Sequence, residues 1–241
     1  MIQFFPVLKK GERADFMNSC SKRALLVLWV AATAVLVMGG GKQPPKVFLT
    51  PHEELLAAQI GFDAEILKLV KGAAPDSLHR MSGYDENGYQ IVVNGLTALV
   101  PEQETARILG VLRRKLLPRK YLAFLIEVNE GIKTDRIGVL RGTDQYEILR
   151  VMQTNGDDYD IMNEDVIERL KEWEKLYPFE IVGAENDWVE IEFKAALADL
   201  PSFAREVYDF CPDVVDQDLG SVEELIKDIK TTKRLLLWWD R

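Results

Sequence analysis

One thiol and a scatter of carboxylates are the candidate reactive groups of this chain. Cys211 precedes Pro212 and Asp213, with Asp216 and Gln217 following and Asp240 near the C-terminus. A cysteine attacks only as the thiolate, so Cys211 needs a base or a helix N-terminus beside it. Pro212 at a first helical position would make Cys211 an N-cap and favour the thiolate. Pro212 equally ends a helix over residues 203–210, whose C-terminal dipole opposes one. The only histidines, His52 and His79, lie far off in the chain. Free cysteine is also among the most often buried residue types.

Asp213, Asp216 and Asp240 could gather as a carboxylate cluster for acid–base work or a cation. Their spacing fits no calcium loop, and Asp213 serves as readily to cap the turn after Pro212. A second acidic run, Asn155-Gly156-Asp157-Asp158-Tyr159-Asp160, places Val166 where a twelve-residue calcium loop needs its Glu, so it reads as an acidic turn. No metal or cofactor is expected. The chain has no Gly-rich phosphate loop, Gly-x-Ser-x-Gly elbow, His-Glu-x-x-His or Cys-x-x-Cys. A hydrolase-like enzyme built on Cys211 and Asp213, or on the Asp213/Asp216/Asp240 set, is therefore the alternative reading, and binding is the first.

The binding reading rests on aromatic residues. Trp238 and Trp239 are neighbours on an expected strand and so point to opposite faces; one is free to enter the core while the other is exposed. Exposed tryptophan beside acidic groups suits a protein-binding surface. The expected surface comprises Trp188, Asp216, Gln217, Trp239 and Asp240.

Charge supports a protein partner over nucleic acid. The 241 residues carry a net charge of −9. Residues 1–41 hold five basic and two acidic groups, which leaves the rest at −12. Such a body repels phosphate backbones, and no basic stripe interleaved with aromatics offsets it. The two cysteines, Cys20 and Cys211, make no disulfide framework.

Residues 24–38 are fifteen uncharged, mostly apolar residues followed by Gly39-Gly40-Gly41, with Lys22 and Arg23 just before them. A span needs about 20 residues, and the glycines bring this one near that length. The basic flank puts the N-terminus in the cytoplasm and the body outside it. Residues 24–41 thus read as an uncleaved anchor or a signal segment, the latter with translation starting at Met17 and cleavage after small residues.

The elements that must position the candidate residues follow from periodicity. Residues 42–49 form a Pro-containing linker. Thr50-Pro51-His52-Glu53 starts a helix, and Glu102 to Leu116 patterns as another, acidic at its start and basic at its end. Residues 89–93 and 96–100 flank Asn94-Gly95 as a hairpin. Residues 121–128 and 136–140 read as strands, 143–152 as a helix, and Val166, Leu170 and Trp173 as the stripe of a helix ending before Pro178. Residues 179–182 and 188–193 form a second hairpin. Ser221 with Glu224 is a capping box for a helix carrying Val222, Leu225, Ile226 and Ile229, and residues 234–239 close the chain as a strand.

This pattern predicts an α+β fold: a mixed sheet with hairpins and several packed helices, preceded by an N-terminal hydrophobic helix. The organisation expected is 1–41 basic region and anchor, 42–49 linker, and a body in two parts, 50–142 and 143–241.

Four stretches also resemble a bacterial family, domain of unknown function 4253: Leu170-Lys171-Glu172-Trp173; residues 184–187 with Trp188; Phe210-Cys211-Pro212-Asp213-Val214-Val215-Asp216-Gln217; and Leu237-Trp238-Trp239-Asp240. The resemblance spans roughly residues 143–240. It implies a fold unit and no reaction. Where the family pattern leads one to expect Gly after the Gln, this chain has Asp218, which leaves the tight turn there without its glycine.

Overall fold

The structure, a computed structural model, describes residues 46–74, 76–129 and 134–239. The expected hydrophobic segment over residues 24–41, most of the linker, Cys20 and Asp240 lie outside the described residues. Among those described, no helix is long and apolar enough to cross a membrane.

The fold is α+β around one seven-stranded mixed sheet. Its strands are β1 (His79–Tyr84), β2 (Gln90–Pro101), β3 (Tyr121–Asn129), β4 (Thr134–Arg141), β5 (Phe179–Ala184), β6 (Trp188–Phe193) and β7 (Arg234–Trp238), in the order β1-β2-β4-β3-β5-β6-β7. Every pairing is antiparallel except β3 with β5. That parallel step is possible because antiparallel β4 first returns the chain, after which helices α4 (Tyr146–Met152) and α5 (Asn163–Leu176) carry it past β3 to β5. Strands from both sides of Gly142 share this sheet and one continuous hydrophobic core.

Local chemistry explains the ends of the helices. Helix α1 (Pro51–Ile60) has the expected capping box, with Thr50 and Glu53 satisfying each other's backbone N–H groups, and ends at Gly61 with φ 69°. Helices α2 (Ala64–Ala73) and α3 (Thr105–Leu116) follow, α3 ending in Arg113, Arg114 and Lys115, where cations suit the macrodipole. Helix α6 (Leu200–Phe210) is capped by Asp199, which accepts from the Ser202 N–H at 3.1 Å. Helix α7 (Val222–Thr232) keeps half of its expected box: Ser221 accepts from the Glu224 N–H at 3.2 Å.

The first expected hairpin is displaced. Asn94-Gly95 does not turn; β2 runs straight through it, and the chain reverses one pair earlier at Asn87-Gly88, where Gly88 has φ 77°. Gly95 serves close packing instead, since a Cβ there would lie 2.8 Å from Met81 Sδ and 2.9 Å from a Leu140 methyl. The two Asn-Gly pairs are alike in sequence, and burial of the strand decided between them.

Candidate functional site

The four resembling stretches converge at the β7 end of the sheet, around the Trp239 ring. Helix α4 ends with Gln153 in the left-handed region at φ 50°, which throws residues 154–161 across the motif. Buried Thr154 donates its hydroxyl to Glu185 O at 2.6 Å, and Asn155 N–H donates to Asn186 O at 2.9 Å. Asn186, itself buried, returns its amide to the carbonyls of Met152 and Gln153, so two loops are stitched in both directions. Gly156 and Ile161 then pair across a short turn, Asp157–Tyr159.

That turn delivers two contacts. Gly156 lies flat on Trp239: a Cβ at this glycine would lie 2.7–2.8 Å from three indole atoms. Tyr159 donates its hydroxyl to Asp213 Oδ1 at 2.6 Å, and Gln217 Nε2 donates to the same oxygen at 2.6 Å. Asp213 is only 2% exposed, so these donors are what make its burial affordable. The Tyr159 hydroxyl is pushed well above its ordinary range, first by its hydrogen bond to Asp213 and then by burial.

Cys211 follows the last residue of α6, and its N–H closes that helix on Val207 O at 2.8 Å. Cys211 thus sits at a junction: it ends α6, and the Val214 N–H at the start of the next helical segment also faces the thiol. Sγ is fully buried and donates to Trp238 O at 3.0 Å. Burial pushes the thiol far above its usual range, and the nearby Asp213 charge adds to this. So placed, the thiol packs within the core against β7.

Both expected surface tryptophans are covered. Trp239 is 1% exposed and Trp188 7%, and Trp238 is also buried, so the predicted division into one core and one exposed tryptophan does not hold. The reason is that β7 is walled on both faces. Trp239 meets Phe210 edge-on at 5.8 Å and rests on Gly156, while its N–H donates to Asp187 O at 3.0 Å. Its Nε1 has no hydrogen-bond partner among the described residues, so the ring contributes packing alone. Trp188 covers Gly183 in the same manner, at 2.8 Å from where a Cβ would stand. Phe210 in turn meets Trp173 at 5.7 Å, and Trp173 donates to Glu206 at 3.1 Å, which ties in the first resembling stretch.

The carboxylates are divided. Asp213 is inside on Tyr159 and Gln217, whereas Asp216 is exposed and accepts from Tyr208 at 3.1 Å. No group of three His, Cys, Asp or Glu side chains among the described residues could hold a metal ion. The chain after Asp213, Val214–Leu219, is π-helical and ends at Gly220 with φ 81°, so the glycine missing at 218 is supplied two residues later. Asp218 itself is half-buried, and its carboxyl is pushed up to about 6, by burial first and by Asp228 second. Asp228 is raised in turn by burial and by Glu190.

Exposed around this core are Asp157, Asp158, Asp160, Asp216 and Gln217, with Tyr159 40% exposed and Met162 59%. Sequence reading missed Tyr159, Gly156 and Asn186. The signals were present in Asn155-Gly156 and in the adjacent acidic run, but only a partner over fifty residues away gives them meaning. No curated protein and no solved structure matches the chain. Residues 136–240, the part that builds this interlocked core, match the family described as Domain of unknown function (DUF4253).

Proposed function

We propose that the chain is a membrane-anchored or exported protein-interaction module that presents an acidic surface to a basic partner. The observation that supports this most is the Tyr159–Asp213 hydrogen bond. It holds two separate acidic segments, 157–160 and 216–217, side by side over a buried aromatic base. Rigid support lowers the ordering cost of binding, and exposed Tyr159 and Met162 offer apolar contact among the carboxylates. This surface differs from the one expected from the sequence: it keeps Asp216 and Gln217, adds Asp157, Asp158 and Asp160, and takes Tyr159 in place of the buried Trp188 and Trp239.

The test uses the full chain and a lysine-rich synthetic peptide, followed by calorimetry at low and at physiological salt. Binding should weaken at the higher salt, and at least about tenfold in the variant Asp157→Asn/Asp158→Asn/Asp160→Asn/Asp216→Asn, each lost charge-assisted contact being worth about a factor of ten. Equal affinity of variant and wild type would sink the reading. Thiol labelling separates it from a cysteine hydrolase: Cys211 should react only in denaturant, and rapid native labelling would revive the enzyme.

A further inference from the structure

At the other side of the sheet lies a pocket of opposite sign. Helix α3 runs into the turn Leu117–Arg119, and the segment 113–120 carries five basic residues, Arg113, Arg114, Lys115, Arg119 and Lys120, in a chain whose net charge is −9. Lys120 takes the left-handed conformation, φ 65° and ψ 45°, and donates its N–H to Leu117 O at 2.9 Å. This tight reversal sets Lys120 beside the start of β3, where Tyr121 pairs with Arg141 of β4. Gly142 N–H then donates to Lys120 O at 2.9 Å, joining the two ends.

The result is an open pocket of about 380 Å³ lined by Arg119, Lys120, Tyr121, Arg141, Thr143 and Asp63, among others. Arg141 is held in place. Its Nη2 donates to Gly61 O and, at 3.0 Å, to the Tyr121 hydroxyl, while its guanidinium lies 5.5 Å from the Tyr121 ring centroid. Tyr121 is itself buried and locked edge-on against Phe62 at 4.8 Å. Arg119 is steadied by Lys115 O at 2.7 Å. Asp63 begins α2 without capping it, and its carboxylate lies within electrostatic reach of Arg141.

Three cations thus meet one carboxylate in a concave site on an otherwise acidic molecule. Concave surfaces lined by one sign of charge concentrate counter-ions. A guanidinium fixed on its inner side still offers N–H donors outward, in the fork that fits phosphate oxygens, and a lysine beside it adds a point charge. We propose that this pocket binds a small soluble phosphate dianion, either inorganic phosphate or a phosphate monoester held by its phosphoryl group. The site is independent of the acidic surface proposed above.

The experiment titrates the full chain with inorganic phosphate and, separately, with methyl phosphate, at low ionic strength by calorimetry, with chloride at matched ionic strength as control. Saturable binding is expected for at least one of the two, and their ratio tells the free ion from the monoester. Lys120→Asn, which suits a left-handed position, and Arg119→Gln should each weaken binding about tenfold. Asp63→Asn should tighten it about threefold by removing the opposing charge. Binding that chloride matches, no saturation with either phosphate, or affinities that ignore all three substitutions would overturn the proposal. Because Asp63→Asn predicts a gain, a general loss of fold cannot imitate the full pattern.

Discussion

Around Trp239 the unusual residues face inward: one buried carboxylate takes two donors, a thiol gives its hydrogen to a carbonyl, and glycine lies on an indole. Around Arg141 the reverse arrangement holds, with common surface residues held open by one tyrosine and one left-handed lysine. The comparison teaches that rare residues at recognisable spacing mark where packing is least forgiving. Capacity to bind lies with the groups the fold leaves outside. In a region matching a family of unknown function, the four stretches that resemble that family are mostly buried in the core they hold together.

Four substitutions test this contrast, each read as a urea unfolding midpoint at constant denaturant slope. The largest effect belongs to Gly156→Ala. Its methyl would lie under 3 Å from a buried indole walled by Phe210, and the forced shift should cost about 3 kcal/mol. A cost below about 0.5 kcal/mol, the range of a neutral surface change, would mean the Trp239 region is loose.

Tyr159→Phe comes next. It removes one donor from a carboxylate that keeps Gln217, and should cost about 1–2 kcal/mol. Loss of the acidic-surface affinity together with this stability change would show that the bond holds the two acidic segments in register.

Asp218→Asn tests burial at the rim of the same region through pH. The folded carboxyl keeps its proton up to about 6, whereas the unfolded one releases it near 4. Between those values the folded state binds more protons, so stability falls as pH rises from 4 to 6 and the cost persists above. The variant should lose that slope and gain about 1 kcal/mol at pH 7, the shift being discounted for partial exposure. An unchanged slope would place the titration elsewhere.

Gly110→Ala, on the helix leading to the basic pocket, should produce the smallest effect and of opposite sign. Its new methyl would meet only the tip of Arg114, at 3.6 Å, so helix propensity should stabilise by about 0.5–1 kcal/mol. Destabilisation there would show that the pocket side is packed as tightly as the Trp239 side.

Much of the architecture was readable because it rests on neighbours in the chain. Thr50 and Glu53, Ser221 and Glu224, the stop before Pro178 and the alternation of Val189, Ile191 and Phe193 are all local, and each stands close to where periodicity put it. The site was less readable. Cys211-Pro212 is compatible in sequence with a helix start and with a helix end, and in the fold it is both, closing α6 and preceding the helical segment through Val214–Leu219. Strand alternation assigns Trp188 and Trp239 to faces of the sheet but does not determine whether both faces are covered.

What the amino-acid sequence determined by itself was therefore the α+β class, most element boundaries, the acidic character and the resembling stretches. These depend on hydrogen bonds and apolar periods spanning a few residues. Tertiary structure alone decided which Asn-Gly pair turns, which carboxylate is buried, and which cations meet. Tyr159 and Asp213 are 54 positions apart, and Gly61 and Arg141 are 80; contacts at such separations follow from how the sheet closes, and no local pattern encodes them.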